Sequence, residues 1–119
     1  MTGAPLIDRR VIDELVEAIG ADGARSVIDL FVAEARGYLT TIAAAAVSNS
    51  DPTMRDQARR AAHSLKSGAG QVGAAAVAAA AAEIERAAAS GAALTEPVAA
   101  LQKYAAETAV ALAGFSGQL

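Results

Sequence analysis

The sequence has no cysteine, no tryptophan, four aromatic residues in all and a single histidine. Without cysteine there is no disulfide framework, no thiolate nucleophile and no Cys-ligated zinc or iron–sulfur centre, and one histidine cannot build a metal cluster alone. No metal site and no intrinsic cofactor are expected. Basic residues are also short: ten Lys and Arg stand against 13 Asp and Glu, a net charge of -3, opposite to the basic footprint of nucleic-acid binding. The opening residues Met1–Leu6 lack a basic stretch followed by an apolar one. The longest unbroken hydrophobic run is the alanine-rich tract at 74–82, far short of the roughly 20 residues a membrane span needs, so the expectation is a soluble, cytoplasmic protein with no membrane partner. At 119 residues, a nucleotide domain beside a substrate domain has no room, and 1–119 reads as one domain.

What is present in quantity is alanine, 34 residues by count, at the top of the helix scale, while β-branched and aromatic residues are sparse. Composition and periodicity both predict an all-α fold. Ile7, Val11, Leu15 and Ile19 recur at i+4 across Leu6–Ile19, and Gly20 supplies a stop. A longer helix opens at Asp22, read as its N-cap, and runs to about Val47, with Val27 or Ile28, then Phe31, Ala35, Leu39, Ile42 and Ala46 along its stripe. Asp51 and Pro52 form the cap and first position of the next helix, where proline's missing N–H costs nothing. Its inward seam is Ala58, Ala62, Leu65, Ala69 and Val72. Gly73 ends it. A further helix runs from Ala74 to a stop at Gly91, and the last is capped at Thr95 with Val98, Leu101, Ala105, Leu112 and Phe115 inward. Short connections imply antiparallel neighbours. The expected architecture is an up-and-down four-helix bundle with an additional short N-terminal helix across one end or side.

His63 is the one side chain that titrates near neutral pH without strong perturbation. The core seam of its helix lies about 140° around the axis, so the imidazole should face solvent. At -4, -3, +3, +4 and +7 stand Arg59, Arg60, Lys66, Ser67 and Gly70, all on the same face. Together with Arg55, four of the ten basic residues fall in one twelve-residue stretch around the only imidazole. Cations of that kind stabilise phosphoryl oxygens. Gly68 and Gly70 each cost about 0.8–1.0 kcal/mol relative to Ala inside a helix. Clearance for another protein's active site explains them, and close helix packing or an early helix end is the alternative, weighing more at Gly68.

These residues carry a family resemblance. Ala62-His63-Ser64-Leu65-Lys66-Ser67, followed by Gly70 and Gly73-Ala74, resembles the signature of histidine-phosphotransfer (HPt) domains, and Ile84-Glu85 is similar to the Leu-Glu pair that the family carries on the next helix. The resemblance covers nearly the whole chain. It implies that Nε2 of His63 accepts a phosphoryl group from an aspartyl phosphate on a receiver domain and passes it to another. It further implies that Lys66 neutralises phosphate charge with Arg59 as helper, and that Glu85 accepts a hydrogen bond from Nδ1–H. Ser67, Gly70 and Arg60 would belong to the docking surface; Ser67 departs from the family's usual glycine but stays small. The implied partners are response-regulator receiver domains and the receiver of a hybrid histidine kinase, met by a monomer. Phosphoryl transfer needs a metal, and with no carboxylate cluster near His63 the Mg²⁺ is expected from the receiver. No kinase apparatus is present.

Three rivals are weaker. Gly68-Ala69-Gly70-Gln71-Val72-Gly73 matches G-x-G-x-x-G, but no strand pattern precedes it. A kinase dimerisation helix would place an acidic residue directly after the histidine and proline five residues on, where Ser64 and Gly68 stand. A non-catalytic helical adaptor that docks receivers without accepting phosphate is the alternative from another class.

Overall fold

The computed structural model describes residues 4–119, so the first three residues of the opening stretch Met1–Leu6 lie outside the described residues. Four helices follow in order: α1 (Arg9–Val47), α2 (Pro52–Gln71), α3 (Ala75–Ser90) and α4 (Thr95–Gln118). Each packs on its neighbours around a square, α1 on α2, α2 on α3, α3 on α4 and α4 on α1, with α2 and α3 most extensively in contact. This is the expected antiparallel bundle, and among the described residues there is no strand.

The extra N-terminal helix is the first part of α1. A straight 39-residue helix would span about 58 Å at about 1.5 Å per residue, yet the molecule's longest extent is 44 Å. Gly20 resolves the conflict, because its φ of 80° and ψ of 169° break the helix between residues 19 and 21. Three details of this region differ from the sequence reading. The helix starts at Arg9, capped by the Asp8 carboxylate, which accepts from the Arg10 N–H at 3.1 Å. Its buried residue is Ile12 rather than a member of the i+4 series, and Ile19 is half exposed, since a spacing of four drifts steadily around a helix of 3.6 residues per turn. Asp22 does not cap a helix; its carboxylate instead takes the Arg25 guanidinium at 2.7 Å.

The N-terminal part of α1 closes one end of the bundle. The Asp8 N–H donates to the Gly73 carbonyl at 2.7 Å, and the Ala76 N–H donates to the Leu6 carbonyl at 3.4 Å, joining the chain start to the α2–α3 turn. The Arg9 guanidinium lies over the Phe115 ring at 5.4 Å, and Arg25 Nε donates to the Ser116 carbonyl, which fixes the α4 terminus there too. At the opposite end, Arg55 donates to the Asn49, Ala87 and Ala92 carbonyls. The guanidinium thereby ties two connections, at Asn49 and Ala92, to the last turn of α3 at Ala87. This places Arg55 at the far end of the bundle, engaged with backbone, and removes it from the cationic field expected around the imidazole.

The remaining helix boundaries follow local chemistry. Asp51 accepts from the Thr53 and Met54 N–H groups, and Pro52 takes the first position. Gly91 ends α3 in the left-handed region at φ 80°. Thr95 is not a cap: Leu94 occupies that position without a side-chain bond, and its N–H donates to Asn49 Oδ1. All five seam residues of α2 are buried. On α4, Thr108 is buried as well, a position the apolar stripe skipped because it carries a hydroxyl.

Gly73 carries the strictest local constraint. Its φ is +74°, and a Cβ there would sit 2.5 Å from the Asp8 carbonyl oxygen and 3.1 Å from Val11 Cβ. Gly91 has a similar φ but open space around it. Gly73→Ala is therefore expected to lose about 2–4 kcal/mol in urea unfolding, and Gly91→Ala about 1 kcal/mol. Equal losses would show that the α1–turn contact contributes nothing beyond the backbone angle.

Candidate functional site

The first-position proline and capping aspartate start α2 in a fixed register, and its seam of alanine and Leu65 faces inward. His63, two residues from Leu65, is thereby turned outward, with 61% of its side chain exposed. Across the α2–α3 contact Ile84 is fully buried, and that anchors the next residue, Glu85, at the edge of the interface. Its carboxylate meets two side chains from α2. Oε2 lies 2.9 Å from His63 Nδ1, and Oε1 accepts from Lys66 Nζ at 2.6 Å.

This three-residue clasp has a definite electrostatic and tautomeric sense. The Lys66 ammonium, followed by the His63 contact, holds the Glu85 carboxyl below its ordinary range, so the group is an anion at neutral pH. An ionised carboxylate only accepts hydrogen bonds, which requires Nδ1 to carry the proton. The neutral ring then has its lone pair on Nε2. Lys66 is half buried and already paired in this state, with its charge next to the ring and held by the same carboxylate that orients the imidazole.

The other sequence candidates fall into two groups. Ser67 and Gly70 are exposed beside His63, and nothing lies within 4 Å of a Cβ built at Gly70. Gly68 differs, since a Cβ there would stand 3.2 Å from the Phe31 ring. One glycine therefore admits a neighbouring helix, and the other leaves open surface. Arg59 and Arg60 do not reach the imidazole. Both pair with Asp56, Arg59 through Nη2 at 2.9 Å and Arg60 through Nη2 at 2.8 Å, and the Arg59 hydrogen bond foremost depresses the Asp56 pKa. Arg59 still lines a shallow cleft with Lys66, Glu85 and Arg86. The sequence reading missed Asp56, although its spacing of three and four residues from the two arginines is the ordinary signal for ion pairs on a helix. It also missed Arg86, which pairs with Glu83. Glu83 and Glu85 thus serve different partners, as their spacing requires. Among the described residues, no three His, Cys, Asp or Glu side chains group to hold a metal ion.

Followed by carbon-13 NMR, the Glu85 carboxyl is expected to titrate with a midpoint below the unperturbed glutamate value, because the Lys66 ammonium and the His63 contact favour its charged form. The Nδ1–H···Glu85 contact would then be complete above that value and lost as pH falls through the lowered midpoint. A midpoint at or above the unperturbed value would show that Glu85 is not held as described.

Comparison with known proteins agrees with this geometry. The Hpt domain family matches residues 26–112. The fold superposes on the crystal structure of histidine-containing phosphotransfer protein B from Pseudomonas aeruginosa PAO1 with a TM-score of 0.84 and 24% identity over 97% of each chain. No protein of curated function matches the chain significantly. The family match spans most of the sequence and includes His63, Lys66 and Glu85: the chain belongs to the Hpt domain family.

Proposed function

We propose that His63 is the phosphoryl carrier of this phosphotransfer protein, with Nε2 as the reacting atom. The observation that carries the reading is the 2.9 Å contact between Nδ1 and Glu85 on an exposed ring, which puts the proton of the neutral ring on Nδ1 and leaves the Nε2 side facing solvent. In the forward step the Nε2 lone pair attacks phosphorus of an aspartyl phosphate on a receiver domain. The N–P bond forms as the P–O bond to the aspartate breaks, and the carboxylate leaves with the electron pair. The phosphorylated ring keeps its Nδ1 proton, and the Glu85 anion balances the positive charge that the ring acquires. The reverse sequence on a second receiver completes the relay.

Lys66 is the charge-stabilising residue, three positions from His63 on the same face. Its pairing with Glu85 keeps the ammonium beside the ring, from where it can turn toward the phosphoryl oxygens. Arg59 and Arg60 enter this reading as docking residues rather than phosphate ligands, because Asp56 already engages both. Ser67 and Gly70 supply the clearance that a receiver's active site needs. Mg²⁺ would be supplied by the receiver and would neutralise the transferring group. The partners are receiver domains, including that of a hybrid histidine kinase upstream, and the setting is the cytoplasm.

His63→Gln should fold with wild-type helicity and acquire no radiolabel from a phosphorylated receiver, whereas the wild type gains an acid-labile, alkali-stable label. Label retained by the variant would place the acceptor elsewhere. Lys66→Ala should slow transfer about 10- to 100-fold with helicity unchanged, and an unaltered rate would remove its role. Gly70→Leu should weaken receiver binding while leaving the unfolding midpoint near wild type.

A further inference from the structure

Arg55 stands apart from the cations of the transfer face, and its contacts are of one kind. Nη1 donates to the Asn49 carbonyl at 2.9 Å and to Asn49 Oδ1 at 3.1 Å, while Nη2 donates to the Ala87 carbonyl at 2.8 Å and the Ala92 carbonyl at 2.7 Å. Asn49 Oδ1 also accepts from the Leu94 N–H. Three segments of chain thus converge on one half-buried side chain. Among the described residues no carboxylate pairs with Arg55, so its guanidinium is committed to backbone and amide oxygens. A planar fork with several fixed donors can span them at once, and its charge suits the C-terminal end of α3.

The α2–α3 interface makes that tie matter. Apart from Leu65, Val77 and Ile84, the buried residues of the two helices are alanines. Methyl-sized ridges interdigitate shallowly and resist splaying of a helix pair less than larger side chains would. At one end the short turn at 72–74 joins α2 to α3 covalently. At the other end no chain joins them directly, and Arg55 bridges them. His63 lies eight residues from Arg55 and eight from Gln71, about 12 Å along the axis from each. Splaying about the turn would carry Glu85 away from His63 by about half of the opening at Arg55. With the side chains as they stand, an opening of about 2 Å there would take the Nδ1 contact past hydrogen-bond range.

We propose that Arg55 is a positioning residue for phosphoryl transfer, which holds α3 against α2 at the open end of the pair and so keeps Glu85 within reach of His63. The proposal rests on His63 as the carrier. Arg55 donates to neither His63 nor Glu85; its effect passes through helix spacing to the tautomer of the imidazole. Its loss should fall on the rate of the bound step rather than on receiver affinity.

The test compares Arg55→Ala and Arg55→Lys with the wild type and with Leu112→Val, a core variant on α4, which packs on α1 and α3. Nitrogen-15 NMR of the neutral, unphosphorylated ring should find the wild-type proton on Nδ1, both Nδ1–H and Nε2–H forms in Arg55→Ala, and an intermediate ratio in Arg55→Lys. Single-turnover transfer from a saturating phosphorylated receiver should be about tenfold slower in Arg55→Ala, with the Kd for that receiver unchanged. Should Arg55→Ala not fold, Arg55→Lys serves in its place, with transfer expected to be about threefold slower. Leu112→Val should lower the unfolding midpoint and keep the wild-type ring and rate. A wild-type tautomer ratio in the Arg55 variants would overturn the proposal. So would equal losses in Leu112→Val, which would make Arg55 a contributor to stability alone. The ring measurement involves no phosphate, so label retained by His63→Gln would remove the carrier without altering the tautomer result.

Discussion

The carboxylate of Glu85 is the point on which the site depends. One oxygen holds the imidazole of His63, the other holds the ammonium of Lys66, and the backbone beneath belongs to a different helix from either. An exposed imidazole by itself rotates and exchanges tautomers freely. Joined to a carboxylate that an adjacent ammonium keeps ionised, the neutral ring keeps its proton on Nδ1 and its lone pair on Nε2. The same arrangement fixes the relative height of α2 and α3, so the chemistry and the packing of that helix pair are one constraint seen from two sides.

That constraint is supported from both ends of the bundle. At one end, the chain start is pinned to the α2–α3 turn through Asp8 and Gly73, where no larger residue fits. At the other, Arg55 gathers carbonyls from the α1–α2 connection, the end of α3 and the α3–α4 connection. Both ties span the connections of α2 and α3, the two helices that must stay in register for Glu85 to reach His63. Long-range order in a bundle whose core is mostly methyl groups comes from such polar ties at its ends as well as from the area its side chains bury.

Much of this was legible in the sequence. Alanine content and the 3.6-residue period fix the helices, Asp51-Pro52 and Gly91 fix boundaries, and the Ala58–Val72 seam places His63 on the outside by arithmetic alone. The Glu85 contact came from resemblance, because it joins residues 22 apart on separate helices and no local spacing encodes it. What escaped had physical reasons. Charge proximity along α2 suggested that Arg55, Arg59 and Arg60 surround the imidazole, but each has a closer partner, backbone carbonyls for Arg55 and Asp56 for the other two. Thr95 and Asp22 look like caps, yet capping depends on a backbone angle that composition does not reveal. The regular i+4 series before Gly20 hid Ile12 because a four-residue step outruns the helix.

Ala58, Ala61, Ala62 and Ala69 of α2 and Ala80 and Ala81 of α3 are all buried, and α2 and α3 are the most extensively packed pair, as short side chains that let helix backbones lie close would give. Glutamate, lysine and histidine side chains have fixed lengths, so the gap they can bridge is set by how far apart those axes stand. A composition that resembles simple repetition therefore works as a gauge block: widening it by leucine-sized steps would leave every reactive group in place on its own helix and out of reach of the others.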